Sequence, residues 1–382
     1  MSKKSITYLD YAAATPVDEQ VLKAMQPYFA EQFYNPAATY GPAREVRQAL
    51  TAARARTAHW LGARPSEIIF TAGGTEANNL AIHGVMRQFP GANIVVSSIE
   101  HESVLRPAQD YDCREVAVQP DGRIDLEDLR RQIDDDTVLV SLMYANNEIG
   151  TVQPIREAAK IIAEKRQQRA SAQPLYFHTD ACQAANYLDL HVARLGIDLM
   201  TINGGKLYGP KQSGLLYVKA GLQLLPLIEG GGQERNMRSG TENVAAIIGL
   251  AHALELAQTG RHQETKRLQA LQQQFFEELE KAIPAAVING SRRYRLPNNI
   301  HITLPGQDNE RLLIQLEAAG ILAAAGSACS AASTEPSHVL GALGLSDDEA
   351  RASVRFTMGR TTDAAAIQTA VTTLARLIDR TV

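Results

Sequence analysis

Apolar positions along this chain follow one rhythm for the first two-thirds and another thereafter. Short β-rich runs occupy residues 68–70, 93–98, 137–143, 175–179, 199–202 and 214–218, with helical spacing between several of them, as at 76–86 and 155–166. Strands alternating with helices predict an α/β domain built on a mainly parallel sheet. In such a domain the chemistry belongs at the carboxyl ends of the strands, where loops meet helix N-termini.

From about residue 243 the pattern changes. Helical spacing runs to about residue 257 and resumes over 265–283; strands follow near 287–289 and 300–303, then helices near 310–319 and 364–380. This half predicts a smaller α+β domain reached through the long helix. The expected division is a large domain of residues 16–255 and a small one of residues 1–15 and 256–382. No internal repeat or low-complexity linker interrupts it.

Composition narrows the class. The 382 residues are 45% hydrophobic, enough for a sizeable core. The formal net charge is −4 and no long run of like charge occurs, so the chain offers no nucleic-acid surface and no polybasic membrane patch. The first residues hold no apolar signal core, and no apolar stretch approaches the length of a membrane span. With only Cys113, Cys182 and Cys329, a disulfide framework is excluded, and the spacings match no metal site. These features point to a cytoplasmic protein.

Cys329 is the most informative of the three. It sits in Ala-Ala-Ala-Gly-Ser-Ala-Cys-Ser-Ala-Ala-Ser-Thr, residues 323–334, a run of small side chains around one nucleophile. Such a run buries little apolar surface and reads as a loop able to carry a reactive group. A buried structural cysteine is the alternative.

Four segments at strand ends carry polar chemistry. Phe70-Thr-Ala-Gly-Gly-Thr-Glu-Ala-Asn-Asn runs from a strand through glycines into a helix, a turn that aims backbone N–H groups at an anion such as phosphate. It is neither G-x-G-x-x-G nor a P-loop, which disfavours dinucleotide and NTP readings. His101 follows the second strand, Asp180 ends the fourth, and Lys206 follows the fifth in Asn203-Gly-Gly-Lys206. Each has an ordinary reading, as a structural histidine, a cap and a solvated loop lysine. Together, an amine able to form a Schiff base, a carboxylate, a histidine and an anion-binding turn are what pyridoxal 5'-phosphate (PLP) requires.

At this point the sequence resembles the cysteine desulfurases, PLP enzymes of aminotransferase class V with fold type I. The resemblance runs from Tyr8-Leu-Asp-Tyr-Ala-Ala-Ala-Thr-Pro16 to Val354-Arg-Phe-Thr-Met-Gly-Arg360. Between them lie Thr71-Ala-Gly-Gly-Thr-Glu-Ala-Asn-Asn79, Glu100-His101, Asn146-Asn-Glu-Ile-Gly150, Asp180-Ala-Cys-Gln183, Arg238-Ser-Gly-Thr-Glu-Asn243 and Gly326-Ser-Ala-Cys-Ser. The last, with Glu335-Pro-Ser-His, resembles the group with the long Cys loop, which supplies iron–sulfur scaffold and thiolation proteins. The fold implied is a large domain with a mainly parallel sheet of the seven-stranded type, plus a smaller α+β domain.

The resemblance implies roles. Lys206 would hold the cofactor's aldehyde, Asp180 its pyridinium nitrogen and Gln183 its phenolic oxygen, while His101 would stack on the ring and move protons. Gly74, Thr75 and Asn203 would bind phosphate, with Thr241 reaching it from the partner subunit of a homodimer. Asn147 would contact cofactor or substrate, and Arg355 with Asn35 would take the carboxylate of L-cysteine. Cys329 would receive the sulfur as a persulfide. Three positions depart from the family pattern. Asn203-Gly-Gly205-Lys206 stands where Ser-x-His-Lys is usual, Tyr40 ends a segment that commonly carries His, and Cys182 replaces Thr or Val. The rival readings are a selenocysteine lyase or other class V carbon–sulfur lyase, and a sulfur-relay subunit without cofactor chemistry.

Overall fold

The computed structural model describes residues 6–326 and 336–379. Cys329 lies outside the described residues. Twelve strands occur among them: β1 Thr7–Tyr8, β2 Ile68–Thr71, β3 Asn93–Ser97, β4 Asp112–Val116, β5 Thr137–Ser141, β6 Tyr176–Asp180, β7 Leu199–Asn203, β8 Gly214–Val218, β9 Val287–Ile288, β10 Asn299–Thr303, β11 Ile321–Leu322 and β12 Ser353–Thr357.

Seven of them form one sheet in the order β2-β8-β7-β6-β5-β3-β4. The pairs β7–β6, β6–β5, β5–β3 and β3–β4 are parallel, whereas β8 runs antiparallel to both of its neighbours. Alternate side chains go to opposite faces. Phe70, Val95, Val140, Phe177 and Met200 pack with Leu50, Ile161 and Leu254 on one side. Ile69, Ile94, Leu139, Leu199 and Leu216 pack with Leu80, Ile82 and Val104 on the other. Both faces are covered, which is why the central strands read as unbroken apolar runs rather than alternating ones.

The edge strand β4, Asp-Cys-Arg-Glu-Val, escapes that pattern. Its burial is partial and it carries three charges, as suits a strand with one unpaired edge. The other six expected strands are present with ends shifted by up to two residues.

The antiparallel sheet β12-β10-β9 and the parallel pair β1–β11 form the second assembly. Leu9, Phe275, Ile300, Ile302, Phe356 and Val371 make its core. The helix that links it to the large sheet, Val244–Ala282, is continuous for 39 residues, with no break at 258–264. The polar run there, Gln-Thr-Gly-Arg-His-Gln-Glu, has no apolar stripe because that stretch bridges the two cores. Among the described residues no helix is long and apolar enough to cross a membrane.

Candidate active site

Four parallel strands end on one cleft. His101 follows β3, Met143, Ala145 and Asn147 follow β5, Asp180 closes β6 and Lys206 follows β7; all line the same cavity. The N-terminus of the Gly74–Met86 helix enters it from β2, and Arg355 comes from β12 in the other assembly.

Lys206 sits at the end of a short 3-10 turn, Gly204–Lys206, capped by the Asn203 side chain. Its Nζ donates to the carbonyls of Ala12 (2.6 Å) and Ala13 (2.9 Å). Those carbonyls belong to the segment after β1, which therefore roofs the cleft. Gln183 donates to Ala12 O as well, at 3.0 Å.

Asp180 is buried and accepts at both oxygens, from Cys182 N at 2.9 Å and from Asn78 Nδ2 at 2.7 Å. His101 caps the helix Glu102–Ala108, its Nδ1 accepting from Ser103 N at 3.1 Å and lying 2.8 Å from Ser103 Oγ. Burial lowers the imidazole's proton affinity, and the Lys206 charge adds to that, while Asp180 pulls the other way. Burial pushes the Cys182 thiol far up, and Asp180 reinforces the shift, so this thiol stays protonated as a small packing group.

Arg355 is 1% exposed. One Nη donates to Asn147 O at 2.9 Å and the other to the Asp10 carboxylate at 2.7 Å. Its Nε is buried without a partner among the described residues. Glu148, the next residue after Asn147, touches both flanks of the Cys329 segment. Ser337 Oγ donates to it at 2.6 Å, and a Cβ on Gly326 would lie 2.9 Å from its carboxylate.

Gly74, Thr75, Asn203, Gln183 and Asn147 also line the cavity. Asn35 and Thr241 do not line it in the single chain. Asn35 is exposed and its Oδ1 takes the N–H of Ala37. Thr241 is exposed beside Arg238 and Asn243 in a neighbouring cleft. The long helix is capped two residues later by Asn243, whose side chain accepts from Ala246 N. Tyr40 is exposed as well, edge-on to Tyr34. The Gly205 N–H is donated to Asn203 Oδ1 at 3.0 Å.

Sequence reasoning assigned no role to Asn78, Ser103 or Asp10. Asn78 carried a signal, since it lies four residues after Gly74 and so shares the face of the helix that meets the cleft. Asp10 carried none, because its partner is 345 residues away.

Residues 7–369 match the aminotransferase class-V family. A cysteine desulfurase IscS from Dictyoglomus turgidum is 42% identical over 384 residues, covering 99% of this chain and 95% of its own length. The chain belongs to this family, among the cysteine desulfurases. The IscS enzyme of Methanosarcina thermophila is 41% identical over 94% of this chain and 88% of its own. Among solved structures, a NifS-like protein superposes with a TM-score of 0.91 at 30% identity, over 98% of this chain and 100% of that one. SspA in complex with cysteine superposes with a TM-score of 0.79 at 35% identity, over 92% and 98%.

As a member of this family the chain is an enzyme and its cofactor is PLP. The residues present fit that cofactor. An amine, a buried carboxylate and an imidazole converge, and Gly74 shapes the end of the cradle, where a Cβ would meet Cys182 Sγ at 2.8 Å and Asn203 Cβ at 3.3 Å. Backbone N–H groups of a 13-residue helix open there toward an anion.

Proposed function

We propose that this chain converts L-cysteine to L-alanine and keeps the sulfur as a persulfide on Cys329. It works as a cytoplasmic homodimer that passes sulfur to an iron–sulfur scaffold or a thiolation protein. The observation that carries the reading is the meeting of Lys206, Asp180, His101 and the buried Arg355 in one cleft, with Gly326 and Ser337 of the Cys329 segment against its rim.

Bound PLP supplies an electron sink that lets the substrate's Cα–H and Cβ–Sγ bonds break heterolytically. Lys206 would hold the cofactor's aldehyde through Nζ, and its amine would take the substrate's Cα proton. Asp180 would hold the ring nitrogen, with His101, Gln183 and Asn147 as further ring contacts. Gly74, Thr75 and Asn203 would take the phosphate, joined by Thr241 of the second subunit. Arg355 would take the substrate carboxylate, a task that suits the guanidinium fork, and Asn35, although it lies outside the cavity lining of the single chain, is kept as its proposed helper. The Cys329 thiolate attacks the substrate's Sγ. An S–S bond forms, the Cβ–Sγ bond breaks, and its electron pair stays with carbon. Cβ gains one proton, equal to the one the thiol gave up, Cα takes back the proton held on Lys206 Nζ, and the product leaves as L-alanine.

The test is a yellow holoenzyme whose colour borohydride abolishes, with Lys206 as the labelled residue in a peptide map. Lys211 as the labelled residue would refute the assignment. With L-cysteine, Cys329→Ser should lose sulfide release while retaining the cofactor's absorbance. Full turnover by that variant would make the chain a carbon–sulfur lyase of the selenocysteine type instead.

A further inference from the structure

A chain of hydrogen bonds joins Asp180 to His101, and its direction is fixed from one end. Asp180 Oδ2 faces Asn78 Nδ2 at 2.7 Å, and the same nitrogen lies 2.8 Å from Ser103 Oγ. A carboxylate oxygen accepts, so the amide turns its nitrogen inward; Asn78 Oδ1 is left buried and without a partner among the described residues. The amide nitrogen has two hydrogens and no lone pair to offer, so it donates to both neighbours. Ser103 Oγ is therefore an acceptor toward Asn78. The backbone N–H of Ser103 donates to His101 Nδ1 at 3.1 Å, which makes that nitrogen an acceptor, so the contact between Ser103 Oγ and the same Nδ1 at 2.8 Å takes the hydroxyl's own hydrogen. With two donors aimed at it, Nδ1 carries no proton, and the neutral ring bears its proton on Nε2.

We propose that Asn78 and Ser103 are positioning residues that hold His101 as a neutral Nε2–H hydrogen-bond donor toward the reacting substrate, not as the base for the Cys329 thiol. The proposal rests on the desulfurase reading and deepens it. Charging the ring would need a proton on Nδ1, where both Ser103 donors already point. Hydrogen bonds made to a neutral form lower proton affinity, in the same direction as burial. The charged groups that act on the ring are Asp180, Lys206, Glu102 and Glu148; Lys206 opposes protonation and the three acids favour it.

The experiment is nitrogen NMR on resting holoenzyme with labelled histidine, the His101 signals identified by their loss in His101→Gln. It uses no L-cysteine, so its outcome is independent of whether the enzyme desulfurates. The expected signature is a protonated Nε2 and a bare Nδ1 that do not change between pH 6 and 9. Ser103→Ala removes one of the two donors to Nδ1. Proton affinity should then rise about tenfold, the worth of one such bond, so that the ring begins to titrate and the kcat profile gains a limb on the acid side. Ser103→Thr, which restores the hydroxyl, should return both to the parent behaviour. A proton on Nδ1 in the parent enzyme would overturn the proposal, as would titration of His101 near pH 7 or a Ser103→Ala ring that titrates like the parent.

Discussion

Gly205 precedes the cofactor lysine without a side chain, and the space for one is open. A Cβ there would meet nothing closer than Asn203 Oδ1 at 3.5 Å and Lys211 Cγ at 3.6 Å. The Gly205 N–H is donated to Asn203 Oδ1, and the residue has no side-chain donor to offer a phosphate. Gly205→Ser adds a hydroxyl at the phosphate end of the cleft. A hydrogen bond to a charged group contributes roughly 1.5–3 kcal/mol, so PLP dissociation should weaken about tenfold or more, measured by cofactor release on dilution. An unchanged dissociation constant would mean the phosphate lies elsewhere. Lys206, Asp180 and His101 stood out because each lies at the end of an apolar run, whereas Arg355 came only from the family resemblance; the fold brings all four to one cavity. Asn78, Ser103 and Asp10 were not, because their work is done on other side chains, whose proximity only the folded chain creates.

Among elements, the Val244–Ala282 helix departs most from its sequence pattern. Gly260 and the polar residues around it weaken the local helical signal, yet tertiary packing at both ends carries the helix through. A Cβ at Gly260 meets nothing within 4 Å. Gly260→Ala should therefore stabilise the protein by up to about 1 kcal/mol through helix propensity alone, seen as a raised thermal midpoint. A lowered midpoint would show that the helix bends there in solution. The same helix begins later than Thr241, with Asn243 as its cap, so Thr241→Ala should leave helix stability unchanged. Its expected cost is a roughly tenfold loss of PLP affinity in the dimer, the worth of a hydroxyl bonded to a charged phosphate. Full affinity in that variant would remove Thr241 from the site. The edge strand β4 was hidden for the opposite reason: an exposed edge demands charge, and charge erases the apolar run.

For the whole molecule, two buried histidines set an acid limit. Burial lowers His178 to about 4 and His301 to about 3. Both rings are neutral in the fold, whereas in the unfolded chain each takes up a proton near pH 6.5. Their stabilisation is complete above that pH and drains away as pH falls toward 4, on the order of 2–3 kcal/mol for each ring. Urea midpoints measured from pH 7 to pH 4 should fall steadily; a flat profile would show that these rings charge inside the fold. The paired assembly has its own check: a monomeric mass at micromolar concentration with full PLP occupancy would refute a shared phosphate site.

The roof of the cleft joins the two ends of the chain. Ala12 and Ala13 hold Lys206, Asp10 holds Arg355, and Thr357 N donates to Leu9 O at 2.7 Å. During synthesis the strand ends that form the cofactor cradle emerge more than 140 residues before Arg355. A ribosome-bound chain can thus shape the floor of its site early, but Arg355, the group proposed to take the substrate carboxylate, arrives only with the last strand. Until then Asp10 lacks the guanidinium it pairs with, although Ala12 and Ala13 can already meet Lys206. On the proposed role of Arg355, substrate selection is a property that the nascent protein acquires at the end of translation.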